Sequence, residues 1–400
     1  MMTMKKSNAE WFGDIPSEWN LTRLQFCLEE INDKNEPIKT TQVLSLMKDV
    51  GVLPYEDKGD IGNKSKENLT EYHLAYPNTI VLNCMNILIG SVGISKYFGC
   101  VSPVYYVFRE TDKCDLRFIN YIFNTREFQK ELRKYAKGIL EIRLRVSSND
   151  IFKQKIALPS KEQQIRIADY LDKKCGENDG LMSDIQSQIK VLEEYKKSVI
   201  TEAVTKGLNP DVEMKDSGIE WIGMIPKHWG TIPTKYCFKI GNGSDPLTID
   251  GDTPVYGSGS KSFKTCVEYK EGPTVLLGRK GTINIPQWIE GRYWNVDTAF
   301  DVKPIGNYDL KLFYYAANCF DYENYSTQTA LPSMTQGDYN NFRLPLMDVN
   351  EQREIVNYLD AKCSEIEAVI VSKKAQLETL AEYKKSLIYE YVTGKKEVVE

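Results

Sequence analysis

Apolar residues between positions 178 and 205 recur in steps of three and four: Met182, Ile185, Ile189, Leu192, Val199 and Ala203, with Lys196 filling one slot. Steps averaging 3.5 residues put one stripe along one helix face and are the signature of a coiled-coil seam. No proline interrupts the stretch. Gly207 followed by Pro210 ends it, the first as a left-handed cap and the second because it cannot continue a helix. A second stretch carries the same pattern at Ile370, Lys373, Leu377, Leu380, Lys384, Leu387 and Tyr391, and stops at Thr393-Gly394. The predicted pairing residues are Ile185, Ile189, Leu192 and Val199 of one helix and Ile370, Leu377, Leu380 and Leu387 of the other. Glu193, Glu194 and Lys197 fall on a solvated face. One such helix alone reads equally as an amphipathic helix on a globular core; two with aligned seams favour mutual pairing. Shorter amphipathic helices are predicted upstream of each, over residues 163–174 and 351–362.

The rest of the chain repeats too. Residues 10–19 read E-W-F-G-D-I-P-S-E-W and residues 220–229 read E-W-I-G-M-I-P-K-H-W. Around the helices, Tyr170-Leu171-Asp172 matches Tyr358-Leu359-Asp360, and the run from Glu194 to Ser198 matches the run from Glu382 to Ser386. Upstream, Leu158-Pro159 precedes Gln163-Gln164 as Leu344-Pro345 precedes Glu351-Gln352. A slip that aligns Glu162-Gln163 with Glu351-Gln352 is an open alternative for that register. Between the repeats, residues 20–157 and 230–343 do not resemble each other. Drift alone would blur scaffold and insert alike, so the pattern reads as a duplicated scaffold carrying two different inserts.

Each insert reads as mixed α/β. Strands are predicted over 80–82, 87–89 and 104–108, with a helix over 118–136. In the second insert, strands are predicted over 274–277, 283–285 and 294–302, with a helix over 310–319. Base edges in a DNA groove are read by Arg, Lys, Asn, Gln, Ser and Thr, and phosphates are held by Lys, Arg and backbone N–H groups. The candidates of that kind are Asn83, Asn86, Ser91, Lys96, Arg143 and Arg145 in the first insert. In the second they are Tyr256, Ser258, Ser260 and Lys261 of one glycine-rich turn, and Arg279, Lys280, Thr282 and Asn284 of another. Any one of them reads equally as part of a solvated loop.

Composition narrows the chemistry. His73 and His228 are the only histidines, which argues against a Ser-His-Asp triad or a multi-histidine metal site. The nine cysteines include no C-x-x-C pair, as expected for free thiols in a reducing compartment. No metal site is expected. No phosphate-binding G-x-x-x-x-G-K-[ST] loop occurs. Asp211, Glu213 and Lys215 mimic an acidic–lysine nuclease signature, but so close together in a linker they read as coincidence. The start has two lysines and no apolar stretch after them, and residues 80–89, the most apolar run, are broken by Asn83 and Asn86 and too short to span a bilayer. A cytoplasmic protein without membrane contact is expected. The net charge of −5 runs against the basic footprint usual for a DNA binder, although charge distribution matters more than its total.

The run from Glu194 through Ser198, Thr201-Glu202-Ala203-Val204-Thr205-Lys206-Gly207 and Met214-Lys215-Asp216-Ser217-Gly218-Ile219-Glu220-Trp221 to Pro226 and His228-Trp229 resembles the specificity subunits of type I restriction–modification enzymes. Supporting marks are Ile94 to Lys96 and Val101-Ser102-Pro103 in the first insert, and Thr329-Ala330-Leu331-Pro332-Ser333 in the second. The resemblance implies an α+β architecture: two mixed α/β target recognition domains separated by two long antiparallel helices, a coiled-coil spacer. The boundaries expected are 1–157 for the first domain with its head, 158–210 for helical region 1, 211–343 for the second domain and 344–400 for helical region 2. It implies a non-catalytic DNA-reading subunit that binds a two-part double-stranded site and docks two methyltransferase subunits and restriction/translocase subunits. S-adenosylmethionine, ATP and Mg2+ would sit in those partners, with no cofactor in this chain. A helix of about 28 residues is a rod of roughly 42 Å, a little over one turn of B-DNA at about 34–36 Å. Two competing readings are a self-contained nuclease or methyltransferase built on Asp211, Glu213 and Lys215, and a helical scaffold with no nucleic-acid role.

Overall fold

The computed structural model describes residues 3–7, 9–48, 50–59, 68–138, 144–259, 261–326 and 332–398. The first half opens on β1 (Met4–Lys5) and β2 (Ile15–Pro16), paired antiparallel, and continues through β3 (Asn20–Arg23). The first insert then runs β4 (Leu28–Glu30), β5 (Leu44–Met47), β6 (Gly51–Pro54), β7 (His73–Ala75), β8 (Thr79–Asn83), β9 (Val92–Ser95), β10 (Gly99–Val101) and β11 (Tyr105–Glu110). Helices α1 (Leu116–Phe123), α2 (Arg126–Arg133) and α3 (Ser148–Phe152) follow, and β12 (Lys155–Leu158) returns to pair with β3. The central sheet has the order β4-β11-β8-β9; β5-β6 and β10-β7 form two further antiparallel pairs. Then comes α4 (Lys161–Lys206), one uninterrupted helix.

The second half repeats this plan. β13 (Met214–Asp216) pairs with β14 (Met224–Pro226), and β15 (Gly230–Pro233) leads into the second insert: β16 (Phe238–Asn242), β17 (Ile249–Tyr256), β18 (Lys264–Cys266), β19 (Lys270–Glu271), β20 (Thr274–Gly278), β21 (Gln287–Ile289), β22 (Arg292–Asn295) and β23 (Ala299–Pro304). Helices α5 (Leu310–Ala317), α6 (Tyr322–Tyr325) and α7 (Gln336–Asn341) follow, β24 (Arg343–Leu346) pairs with β15, and α8 (Val349–Val392) closes the chain. The central sheet is β16-β23-β20-β21, with a second sheet β18-β17-β22-β19. The four-stranded order matches that of the first insert strand for strand. The inserts, unlike in sequence, thus share a topology that the sequence reading missed.

Several local expectations are corrected. Residues 87–89 form a 3-10 turn, not a strand, because Gly90 at φ +85° reverses the chain there. The helix expected over 118–136 is two, broken where Thr125 caps α2 by accepting from the Phe128 N–H. Residues 283–285 are irregular, and the strand expected over 294–302 is two strands separated by a turn closed by Ala299 N–H to Val296 O at 3.0 Å. The short upstream helices do not exist as separate elements. They are the first turns of α4 and α8.

Why α4 stays helical for 46 residues is visible in its seam. Gln164, Ala168, Leu171, Cys175, Asn178, Met182, Ile185, Ile189, Leu192, Lys196, Val199 and Ala203 are all buried or half-buried, in strictly alternating steps of four and three. In α8 the series is Gln352, Val356, Leu359, Cys363, Ile366, Ile370, Lys373, Leu377, Leu380, Lys384, Leu387 and Tyr391. Gly176 and Gly180 are exposed, with nothing within 4 Å of where a Cβ would stand, so each costs only about 0.5–1 kcal/mol relative to alanine and the seam holds.

The chain divides into two compact units, Met1–Asp184 with Gln376–Glu400, and Ile185–Ala375. Inside the first, Tyr170 packs on Tyr391 with ring centroids 4.6 Å apart, Asn178 Nδ2 donates to Leu380 O at 3.4 Å, and Lys384 meets Asp179 at 2.6 Å. Inside the second, Lys373 hydrogen-bonds Gln188, and Lys196 meets Glu367 at 2.8 Å. From Tyr170–Tyr391 to Asn178–Leu380 in the first unit, and from Gln188–Lys373 to Lys196–Glu367 in the second, the partner's number falls as the α4 number rises, so the helices pair antiparallel. Of the predicted pairing residues, Ile189, Val199, Ile370 and Leu387 are buried, and Ile185, Leu192, Leu377 and Leu380 half-buried.

Candidate nucleic-acid interface

Each insert has a helix-side face and an outer face, because successive strand residues point to opposite sides. In the first, Ile80, Leu82 and Phe108 pack with α1 and α2, whereas Val81 and Val107 join Leu44, Leu46, Ala75 and Val101 on the other side. In the second, Val275, Leu277, Phe300 and Val302 belong to the helix-side core. Leu276 packs outward with Ile289 and Tyr293. There Asp301, whose side chain is only 4% exposed, receives the Tyr293 hydroxyl at 3.3 Å and lies 3.3 Å from Lys270 Nζ. Lys270 also donates to Asn295 Oδ1 at 2.7 Å. Asp301 Oδ1 has no aligned hydrogen bond, so its tie to Lys270 is one of charge. Burial first, and then the Asp301 charge, raise the Tyr293 pKa.

Both inserts dock on a long helix by the same contacts. Asp115 caps α1 by accepting from the N–H groups of Arg117 and Phe118, and Asp309 caps α5 by accepting from Lys311 and Leu312. Gln164 Oε1 accepts from Asp115 N at 2.8 Å, and Gln352 Oε1 from Asp309 N at 2.7 Å. The Nε2 groups of Gln164 and Gln352 donate to Pro159 O and Met347 O. The open register is thereby resolved: Gln164 corresponds to Gln352 and Gln163 to Glu351, with no slip. Tyr121 donates to Asp172 at 2.6 Å, and Tyr315 donates to Asp360. Burial and then the facing carboxylate raise both phenol pKa values. Arg117 bridges Asp169 and Asp172 at 2.7 and 2.9 Å, and Lys311 lies 3.8 Å from Asp360. The helix-side residues Gln164, Gln352, Asp172 and Asp360 stand in the repeats read from the sequence, whereas their insert-side partners do not. The signal for those partners is a third repeat, Asp115-Leu116-Arg117…Tyr121…Asn124 against Asp309-Leu310-Lys311…Tyr315…Asn318, at an offset between the other two.

A polar pair is exchanged between the copies. Gln163 Nε2 donates to Glu18 at 2.9 Å, and at the matching places His228 Nε2 lies 3.1 Å from Glu351, which also accepts from Trp229 Nε1 at 2.8 Å. The carboxylate has moved from the head to the helix. Either way the head is tied to the first turn of its helix.

The candidate base- and phosphate-contacting residues fall into groups. In the second insert, two turns converge on Thr298. Arg279 N–H donates to Thr298 O at 2.8 Å, and a Cβ on Gly257 would lie 2.8 Å from Thr298 Oγ1. Ser258 is half-buried and Lys261 exposed; Tyr256 is half-buried, packed against the outer apolar cluster. Lys280 and Asn284 are exposed; Thr282 is half-buried, and Arg279 is half-buried with Nη1 donating to Asp297 O at 3.3 Å. Gly278 is required there, since a Cβ would stand 2.3 Å from Thr282 O. In the first insert, Asn86 and Arg145 are exposed on adjacent segments joined by Val146 N–H to Cys84 O at 3.2 Å. Lys96 is exposed at the far end of the β8–β9 pair. Asn83 and Ser91 are corrected: they are 6% and 3% exposed, Asn83 Oδ1 accepts the Met85 N–H at 3.0 Å, and they hold the turn rather than face outward. Arg143, Ser260 and the run Thr329-Ala330-Leu331 lie outside the described residues.

Nothing assembles Asp211, Glu213 and Lys215 into a nuclease site. All three are exposed, Glu213 is bridged to Lys227 at 2.9 Å, and Lys215 lies in the β13–β14 pair. Among the described residues no group of three or more His, Cys, Asp or Glu could hold a metal ion, and no helix is long and apolar enough to cross a membrane. All nine cysteines are free, eight of them buried.

What fold and site define is a duplicated α+β protein in which two like-folded modules with unlike outer layers each dock on a paired long helix. No family model matches the chain. It is 25% identical over 431 residues to a putative type I restriction enzyme MjaX specificity subunit of Methanocaldococcus jannaschii, covering 96% of this chain and 95% of that protein. It is 24% identical over 234 residues to the type I restriction enzyme MjaVIII specificity subunit of the same organism, covering 57% of this chain and 51% of that one. A chain from a solved type I restriction–modification system superposes with a TM-score of 0.73 at 14% identity, covering 96% of this chain and 99% of its own. The HsdS subunit of Thermoanaerobacter tengcongensis superposes with a TM-score of 0.52, also at 14% identity, covering 98% of this chain and all of its own. At that identity the two structures speak for the fold. Along nearly its whole length the chain is thus similar to type I restriction enzyme specificity subunits, and it shares their fold.

Proposed function

We propose that this chain reads a two-part duplex target, with residues 1–157 and 211–343 as its two target recognition domains and residues 158–210 and 344–400 as the helical regions that set the gap between half-sites. The observation that carries this reading is the repetition of one docking set, Asp115–Gln164 with Tyr121–Asp172 and Asp309–Gln352 with Tyr315–Asp360, beneath modules whose outer layers differ. A protein that needed one site would have no use for two unlike modules on identical mounts. The helical regions also dock two methyltransferase subunits, and through the complex the restriction/translocase subunits. S-adenosylmethionine, ATP and Mg2+ belong to those partners, and the complex works in the cytoplasm. The net charge of −5 confines DNA attraction to local groups such as Lys280 and Lys261.

The test is co-expression of the chain with a type I methyltransferase subunit from the same source, in a host without a resident system, followed by single-molecule mapping of methylated bases. Methylation confined to two short motifs at one fixed gap is the expected result. Methylation at a single continuous motif would sink the reading. Purified alone, the chain is expected to bind duplex DNA with an affinity that falls as salt rises, and to cleave or methylate nothing.

A further inference from the structure

The two inserts share their helix-side layer and part company on the outer face. The first carries the antiparallel pairs β5-β6 and β10-β7 there; the second carries the sheet β18-β17-β22-β19, with β17 and β22 parallel. Strand directions in that sheet bring the start of β17, the end of β18, the end of β19 and the start of β22 to one edge. At or beside this edge stand Leu247, Ile249, Val267 and Tyr269, exposed at 95, 61, 57 and 51%. Leu247, Ile249 and Val267 flank this edge directly, and Tyr269 reaches it through Arg292, so these exposed apolar residues mark a candidate contact surface.

One cation is organised at this edge. The Arg292 guanidinium carbon lies 4.4 Å from the centre of the Tyr269 ring, and its Nε lies 3.6 Å from Glu271. The side chain is still 64% exposed. The ring lies beside the guanidinium and Glu271 draws its Nε side, and no hydrogen bond within the chain is described for the two Nη groups. A planar, oriented, outward fork is what a bidentate contact to guanine O6 and N7 requires. Nearby Lys270 is different: it lies over Trp294 but is tied to Asp301 and Asn295, so it serves the fold.

Resting on the reading above, we propose that Arg292, held by Tyr269, is a specificity-determining residue of the second insert that contacts a guanine, with Leu247, Ile249 and Val267 packing against neighbouring thymine methyls. Neither half of this surface has a counterpart in the first insert, where β5 and β6 occupy the outer face.

The experiment maps methylated motifs in cells carrying the full set of partner genes with wild-type, Arg292→Ala, Arg292→Lys, Tyr269→Phe or Tyr269→Ala chain. In Arg292→Ala, one base position of one half-site is expected to lose about 5- to 150-fold of its discrimination, the range of a bidentate base contact, while the other half-site and the gap stay as in wild type. Arg292→Lys should not restore it, Tyr269→Phe should keep the wild-type motif, and Tyr269→Ala should loosen the same position. An unchanged motif in Arg292→Ala overturns the proposal and leaves the two-part reading standing. Loosening in both half-sites, or an equal fall at all sites, also overturns it. If the wild-type motif is itself continuous, the reading beneath has failed and this inference goes with it.

Discussion

Residue identities in the second insert show how a polar core is made tolerable. Asp301 is buried beside Lys270, Asn295 and Tyr293, where the matching strand of the first insert has apolar Val107. Removing one partner of such a pair strands a charge and costs about 3–5 kcal/mol, whereas replacing both with apolar groups is often neutral or stabilising. Asp301→Ala is therefore expected to lower the urea midpoint markedly, and Lys270→Met with Asp301→Leu to recover most of the loss; equal midpoints for Asp301→Ala and wild type would show the pair carries no weight. Thiol chemistry gives a second check. Burial pushes the Cys237 and Cys319 pKa values up to about 11, so at pH 8 both are overwhelmingly protonated and poor nucleophiles. A disulfide reagent at that pH should titrate few thiols in the folded chain and all nine once it is unfolded. On the surface, exposed Lys280 reaches from a turn whose backbone is pinned to Thr298, Pro332 and Met334. Lys280→Ala should weaken DNA binding for all sequences alike and reduce the salt slope by about one unit, without shifting the melting temperature. Unchanged affinity would remove that turn from the interface.

Element by element, the helices were the most legible part of the sequence and the inserts the least. A seam in steps of three and four is a long-range regularity that survives substitution, so Met182 to Ala203 announced α4 directly. Its earlier half read as a separate short helix over 163–174, because Gln164, Cys175 and Asn178 occupy seam slots without looking apolar. In the inserts, short apolar runs such as residues 87–89 and 283–285 carry no periodicity that separates strand from turn. Residue type and nearness to a turn carry no sign of burial, which is why Asn83 and Ser91, 6% and 3% exposed, stood among the base-contacting candidates. The seam itself makes a prediction. Lys196 and Lys384 hold equivalent slots and each reaches a carboxylate on the other helix, Glu367 and Asp179, at 2.8 and 2.6 Å. For Lys196 burial opposes the charge, but Glu367 outweighs it and the pKa rises. Polar seam residues specify register and partner number at a cost in stability. Lys196→Leu with Lys384→Leu should raise the melting temperature and at the same time promote self-association, visible by light scattering. A strictly monomeric double variant would show that the lysines do not police pairing.

At the scale of the whole molecule, the consequence of the seam is a length. α4 and α8 run to 46 and 44 residues, or about 69 and 66 Å at 1.5 Å per residue, well beyond the roughly 42 Å rod read from the sequence pattern. If these helices set the gap between half-sites, the gap should follow their length in whole turns of DNA. Inserting one heptad into each helix, at Ser187 and at Ala375, preserves the seam and adds about 10.5 Å, the rise of about three base pairs at 3.4 Å each. Three base pairs also rotate one half-site by nearly a third of a turn of B-DNA, whose repeat is about 10–10.5 base pairs, so the second module would meet the wrong face of the duplex and methylation should fall sharply. Three heptads in each helix add about 32 Å, close to a full turn of 34–36 Å. Methylation should then return at the same two motifs with the gap lengthened by nine or ten base pairs. Read out by mapping methylated bases in cells carrying each variant, a gap that stays constant across the series, or a single-heptad chain as active as wild type, would mean that something other than the paired helices measures the distance.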